Sequence, residues 1–216
     1  MITNQIQTQS IQNRIQQLER QEHSFLDLDQ TDSVAILGDR DSGKSNLMFY
    51  LSNNYHRKKQ KVLYGYPIEK EGYVSISNWQ DLLKTENAVI LIDEIQKYIK
   101  TYLQRANIEL MELLSMLKHQ NNTIVFTTPL SQFITKGIEA SIQTWLIKQL
   151  DIYSLKNGSK PKRIIQNTAS PRITSKGINL KQNEYLAYDP KMPIGFNKIH
   201  TFPNQHIQKE WRGISV

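Results

Sequence analysis

Eight consecutive residues, Gly38-Asp39-Arg40-Asp41-Ser42-Gly43-Lys44-Ser45, fit the pattern G-x-x-x-x-G-K-[ST] at every fixed position. A loop of this kind closing onto a helix N-terminus turns successive backbone N–H groups inward, making a concave site for the phosphates of a nucleotide. Gly38 and Gly43 permit the bends and the close approach. Lys44 is expected to reach the β- and γ-phosphates and the Ser45 hydroxyl to bind Mg2+. With Asn46 opening the helix that follows, residues 38–46 form the expected ATP site.

A second group stands 49 residues beyond Lys44. Ala88-Val89-Ile90-Leu91-Ile92 is a continuous apolar run, the mark of a central parallel strand covered on both faces, and Asp93-Glu94 ends it. A carboxylate at the C-terminal end of such a strand points into the crevice where α/β sheets bind ligands. Asp93 is then placed to hold Mg2+, and Glu94 to polarise a water for in-line attack on the γ-phosphate. A hydrolase needs a water activator, whereas a kinase must keep water away, so ATP hydrolysis is favoured over phosphorylation of a small molecule. No Asn-Lys-x-Asp guanine-reading motif is present. A slow nucleotide-dependent switch or assembly factor is a further class these residues permit. Thr127 and Thr128 end the next strand, where a hydroxyl could sense the γ-phosphate or position the water. Either could equally be a β-branched residue filling a strand end. Thr128 is the expected sensor.

The elements that must position these groups alternate along the chain. Strands are expected around Ser33–Leu37, Val62–Tyr64, Ala88–Ile92, Thr123–Thr128 and Thr144–Ile147. Helices are expected from the phosphate loop to about Tyr55, from Trp79 with Ser77 or Asn78 as N-cap, and along the face Leu110, Met111, Leu113, Leu114 and Leu117. This pattern argues a mostly parallel α/β sheet with helices on both faces. Asn157-Gly158 reads as a β-hairpin within Ser154–Gln166, a C-terminal extension with Lys160, Lys162 and Arg163 on its returning arm. Tyr185–Tyr188 and Lys198–Phe202 are further strand candidates. Residues 1–30 form a polar, glutamine-rich arm in which Ile11, Ile15 and Leu18 suggest an amphipathic helix, leaving 31–216 as the nucleotide-binding domain.

The net charge of +7 is unevenly placed. Residues 1–150 carry 16 basic and 16 acidic side chains, whereas residues 151–216 carry 11 and 4. A polyanionic partner for the C-terminal third is one explanation and a solvated lysine-rich surface the other. There is no cysteine, which removes disulfides and cysteine-ligated zinc. No apolar run approaches the ~20 residues that span a bilayer, so a soluble intracellular protein is expected.

Four stretches carry a family resemblance: Gly38 to Leu47; Ile90-Leu91-Ile92-Asp93-Glu94; Lys118 to Thr128; and Leu180 to Tyr188. Together they resemble the additional-strand, catalytic-glutamate ATPases with a RecA-like fold. Among these the chain is most similar to the FtsK/HerA superfamily, in particular the small genome-packaging ATPases of tailless icosahedral viruses. The resemblance implies a ring-forming homo-oligomeric motor that hydrolyses ATP with Mg2+ and moves double-stranded DNA into a preformed capsid, with a capsid or portal protein as a further partner. For a viral protein this places it in the host cytoplasm or on the virion. Two departures stand out. Lys118-His119 occupies the place of the family's arginine, and a lysine cannot form the bidentate phosphate fork of an arginine finger. Arg105, near the start of the same helix, is the substitute expected to reach a neighbour's site. The strand ends Thr128-Pro129 where the family usually has Thr-Gln, and Thr127-Thr128-Pro129 is itself similar to the coupling motif of large terminases, the packaging ATPases of tailed viruses. The DNA backbone is expected to meet Lys156, Lys160, Lys162 and Arg163 without base reading.

Overall fold

Val34, Ala35, Ile36 and Leu37 have no exposed surface, because this strand lies in the middle of a sheet covered on both sides. The computed structural model describes residues 31–53, 60–65, 72–98, 104–129, 134, 136–151, 153, 155, 157–168, 172–174, 177–191 and 197–203. The N-terminal arm 1–30, His56 to Lys59 of the basic cluster, and Lys156 lie outside the described residues.

The elements run in order β1 (Ser33–Leu37), α1 (Lys44–Asn53), β2 (Gln60–Tyr64), β3 (Tyr73–Ile76), α2 (Trp79–Leu82), β4 (Ala88–Ile92), a 3-10 turn (Ile95–Lys97), α3 (Gln104–His119), β5 (Thr123–Thr128), α4 (Lys136–Ser141), β6 (Thr144–Ile147), β7 (Leu150–Asp151), α5 (Lys160–Asn167), β8 (Ile173–Thr174), β9 (Gly177–Ile178), β10 (Glu184–Tyr188) and β11 (Ile199–Thr201). Eight strands form one sheet in the order β11-β10-β6-β1-β5-β4-β2-β3. The pairs from β3 to β6 are all parallel, and β10 joins antiparallel to both β6 and β11. All but the outer elements are thus the mostly parallel α/β sheet that the sequence predicts.

Side chains alternate between faces along each strand. Val34, Ile36, Leu63, Val89, Leu91 and Val125 pack with Leu47 and Met48 of α1. On the other face Ala35, Leu37, Ile90, Ile92, Ile124 and Phe126 pack with Leu114 and Leu117 of α3 and Ile138 of α4. Burying each of the larger side chains contributes about 1.5–3 kcal/mol. The strand starts are tied by Asn122, whose amide accepts from the Ala88 N–H at 2.9 Å and donates to Thr85 O at 2.7 Å. Asn78, not Ser77, caps α2, accepting from the Gln80 N–H.

The hairpin expected over Ser154–Gln166 is replaced by a turn and a helix. Gly158 takes φ +72°, and Ser159 caps α5 by accepting from the Lys162 N–H, with Pro161 in the first turn. Proline lacks an N–H that a helix start would leave unpaired anyway, so Ser-x-Pro after the Asn-Gly turn opens a helix. The extension still contains β structure: β7, β9 and β8 form a small antiparallel sheet, with β8 and β9 paired as a hairpin.

Candidate functional site

The loop after β1 is shaped by two glycines. A Cβ on Gly38 would fall 2.6 Å from both Lys148 Cβ and Ser42 Oγ. Gly43 has φ +87°, and a Cβ there would lie 3.0 Å from the carbonyl oxygen of Gln182. Asp41 also sits in the left-handed region, at φ 59°, which aspartate tolerates better than most residues. Arg40 and Asp41 face solvent as a loose 4.0 Å pair with side chains over 90% exposed, and such a pair contributes little. The first half of the loop is bonded to the chain leaving β6. Lys148 N–H donates to Leu37 O at 2.7 Å, Asp39 N–H to Gln149 O at 2.9 Å, and Asp151 N–H to Asp39 Oδ2 at 3.0 Å.

Lys44 is buried and its Nζ donates to Asp39 O at 2.7 Å. Burial lowers its pKa below the ordinary lysine value, against the opposing pull of Asp93, Glu94, Asp39 and Asp41. Ser42 Oγ is buried within the loop and has no hydrogen-bond partner among the described residues; Asn46 Oδ1 is in the same condition. A buried hydroxyl without a partner calls for one, and a phosphate oxygen would supply it. These residues therefore fit a nucleotide.

Across from the loop, Ser45 Oγ donates to Asp93, 3.0 Å from each carboxylate oxygen. Asp93 lies one residue past β4. Because Ile92 pairs with Phe126, Asp93 stands opposite Thr127. Thr127 Oγ1 donates to Asp93 Oδ1 at 2.5 Å and accepts from the Glu94 N–H at 2.8 Å. Glu94 takes left-handed angles, φ 52° and ψ 60°, at the start of the 3-10 turn. For a residue with a Cβ this costs about 1–2 kcal/mol, and the bond to Thr127 holds it in place. The turn aims the Glu94 carboxylate at Lys97, with Oε2 2.5 Å from Nζ, and this bond raises the Lys97 pKa. A serine hydroxyl and one carboxylate converging beside a phosphate loop is a donor set suited to Mg2+, which takes few protein ligands and completes its shell with phosphate and water.

The structure brings Lys44, Ser45, Asp93 and Glu94 together as the sequence predicts. It puts Thr127 rather than Thr128 at the carboxylates. Thr128 has the strand parity of Ile124 and Phe126, which face away from α1, so alternation turns its side chain from the loop. Lys118 is half-buried in the last turn of α3, and its Nζ donates to Ser141 O at 2.6 Å. It lies by the strand starts, a strand length of about 16 Å from Asp93. Arg105 falls in the first turn of α3, its side chain outside the described residues. Lys160, Lys162 and Arg163 occupy the first turn of α5, with Lys162 Nζ bonded to Asn157 Oδ1. Lys160 and Arg163 line a cleft of about 540 Å³ with Asn167, Thr168, Tyr188 and Asn197. Tyr188 pairs with Trp145 near the start of β6, so this cleft is at the opposite end of the sheet from the phosphate loop. The described DNA candidates thus form one group, remote from the nucleotide site. Lys148, under the loop, carries no sequence signal beyond being a lysine that ends an apolar run.

The fold has counterparts among known proteins. The sequence model of the Zonular occludens toxin (Zot) family matches residues 54–155. No curated protein sequence matches the chain. The fold is similar to B204, the DNA-packaging ATPase of Sulfolobus Turreted Icosahedral Virus, with TM-score 0.53 and 17% identity over 84% of this chain and 100% of that one. B204 of Sulfolobus turreted icosahedral virus 2 in complex with ATP-gammaS gives TM-score 0.54 and 15% identity, covering 82% and 98% of the two chains. The EccC ATPases 2 and 3 of Thermomonospora curvata give 0.55 and 10% over 83% of this chain and 38% of that one. The chain thus has the fold of these ATPases, with a phosphate loop closing its first strand onto α1.

Proposed function

We propose that the chain is the motor of a genome-packaging machine, hydrolysing ATP to move double-stranded DNA. The observation that carries the hydrolytic part is the continuous chain of hydrogen bonds from Ser45 through Asp93 and Thr127 to the Glu94 amide. It ties the two side chains suited to Mg2+ to the backbone of the residue that would activate water, across two strands and beside a buried lysine. Lys44 binds the β- and γ-phosphates and stabilises the transferred phosphoryl group. Ser45 and Asp93 would hold Mg2+, which when bound neutralises charge across the phosphate oxygens. Glu94 takes a proton from the attacking water, for which its carboxylate must leave Lys97. Thr127 keeps Asp93 and the Glu94 backbone in register.

The DNA part rests on two supports. The B204 relatives of similar size are described as DNA-packaging and genome-packaging enzymes, and the excess charge of this chain lies in residues 151–216. Lys160, Lys162 and Arg163 would bind phosphates of the duplex backbone. Lys156 belongs to the same basic portion and is assigned the same role on sequence alone. The family resemblance implies a ring, so a homo-oligomer with a capsid or portal partner is part of the proposal, and Arg105 is its candidate finger into a neighbour's site.

The test is ATPase turnover with and without double-stranded DNA, alongside the mass of the ATP-bound assembly. Stimulation by duplex DNA and a closed oligomer are expected. Turnover indifferent to DNA at low salt would sink the motor reading while leaving the ATPase.

A further inference from the structure

Lys148 follows β6 into the interior, with no exposed surface, and nothing in the reaction described above uses it. A buried ammonium is costly unless it is met by acceptors. Its Nζ donates to Gln182 O at 2.5 Å and to Glu184 O at 2.7 Å, and lies 4.7 Å from the centroid of the Phe202 ring. Two carbonyls thus take two of its three N–H donors among the described residues. The same Nζ is 3.8 Å from where a Cβ on Gly43 would sit, so it lies directly under the phosphate loop.

The turn it holds is also pinned from other sides. Gln182 Nε2 donates to Asp41 O at 3.4 Å, and Lys181 N–H donates to Glu184 Oε2 at 2.9 Å. Arg172, just before β8, pairs with Glu184 Oε1 at 2.5 Å. The charged groups facing Lys148 are therefore Lys44 from α1, which disfavours its charge, and Glu184 from β10, which favours it. The Glu184 carboxylate is already committed to Arg172 and Lys181. Burial outweighs it and pulls Lys148 down to about 7. Among the described residues the ammonium has no carboxylate of its own, and it sits beneath a loop shaped to receive phosphate.

We propose that Lys148 is a positioning residue for the phosphate loop: its ammonium holds the Lys181–Glu184 turn against Gly43 and is kept charged by the phosphates of bound ATP. The proposal rests on the nucleotide-site reading above. Phosphate over Gly43 adds negative charge where Lys44 and Lys148 otherwise oppose one another. Bound nucleotide thus favours the protonated form and its charge-assisted bonds to the two carbonyls. Release favours the neutral amine, whose bonds to the same carbonyls are weaker. The turn leads into β10 on one side and through Leu180 to β9 on the other, so loop occupancy reaches the small sheet.

The test compares wild type with Lys148→Met for binding of a fluorescent ATP analogue with Mg2+ between pH 7 and 9.5, with amide hydrogen exchange at residues 181–184. At pH 7 the variant is expected to bind about tenfold more weakly, the equivalent of one pK unit of linkage. Wild-type affinity falls as pH rises and the variant's falls less steeply. Nucleotide slows exchange at the turn in wild type and not in the variant. Lys148→Arg, charged throughout this range, retains more affinity than Lys148→Met and shares its flatter profile; it decides the matter if the methionine variant does not fold. Equal affinities and equal pH slopes in wild type and variant overturn the proposal. A wild-type protein that binds no nucleotide overturns instead the reading of the loop.

Discussion

Thr127 Oγ1 donates to Asp93 Oδ1 at 2.5 Å, so one hydroxyl on β5 fixes a carboxylate at the end of β4. The same oxygen accepts from the Glu94 N–H, and so ties the strained residue to its neighbour's strand. Thr127→Val keeps the shape and β-propensity of the site and removes both bonds. Leaving a buried partner unsatisfied costs about 1–3 kcal/mol, enough to lower kcat roughly tenfold or more when it falls on catalytic geometry. Thr127→Ser retains the hydroxyl and should retain most turnover. Steady-state ATPase of the two variants checks this; equal loss in both would show that packing, not the hydroxyl, is what matters.

Glu94→Gln preserves size and keeps a side-chain oxygen facing Lys97, but has no basic oxygen for a water proton. General-base removal of this kind costs about 10²–10⁴ in rate, with binding of ATP left near wild type. A kinase would not lose phosphoryl transfer to its acceptor through this change. Lys97→Met tests the neighbouring contact: freed from the ion pair at Oε2, Glu94 is expected to hydrolyse ATP faster in the absence of DNA. Single-turnover hydrolysis with equilibrium nucleotide binding separates the two effects.

The phosphate loop and Asp93-Glu94 were legible in the sequence because each is local. Eight contiguous residues make the loop, and an apolar run followed by two carboxylates makes the strand end. The five core parallel strands were legible for the same reason, since burial on both faces leaves unbroken apolar runs. What escaped depends on contacts distant in sequence. The choice between Thr127 and Thr128 is set by the register of β5 on β4 and by which face α1 covers. Lys148 gains its surroundings from Gln182, Glu184 and Phe202, more than 30 residues away. Asn157-Gly158 misled for a different reason: the turn signal was right, and Ser159 with Pro161 decided that a helix rather than a strand followed.

Lys148 also gives stability a pH dependence of definite sign. Its pKa is about 7 when folded against the ordinary 10.5. Between these values the unfolded chain binds more protons, so stability rises with pH through this window and is least below pH 7. Thermal unfolding of wild type against Lys148→Met, without nucleotide, checks it. The wild type is expected to gain Tm relative to the variant from pH 7 toward 10, and a constant difference would count against a buried titrating amine.

The basic turn of α5 makes the DNA proposal quantitative. Lys162 and Arg163 stand at a helix start, where the macrodipole already disfavours cations, and the first turn holds no acidic side chain. Lys160 differs from them, being half-buried with its N–H bonded to the Glu139 carboxylate and its Nζ over the Trp145 ring. Substituting it would disturb packing as well as charge, so Lys162→Gln and Arg163→Gln are the cleaner pair. Each phosphate contact adds about 0.9 to the slope of log K against log salt for duplex DNA. The double variant is therefore expected to weaken duplex binding at low salt and to flatten that slope by about two, equally for unrelated sequences because backbone contacts carry no base information. Fluorescence anisotropy on two duplexes of different sequence, over a range of salt, reads both quantities. An unchanged slope would move the DNA contact away from α5, and a loss confined to one duplex would argue for base reading instead.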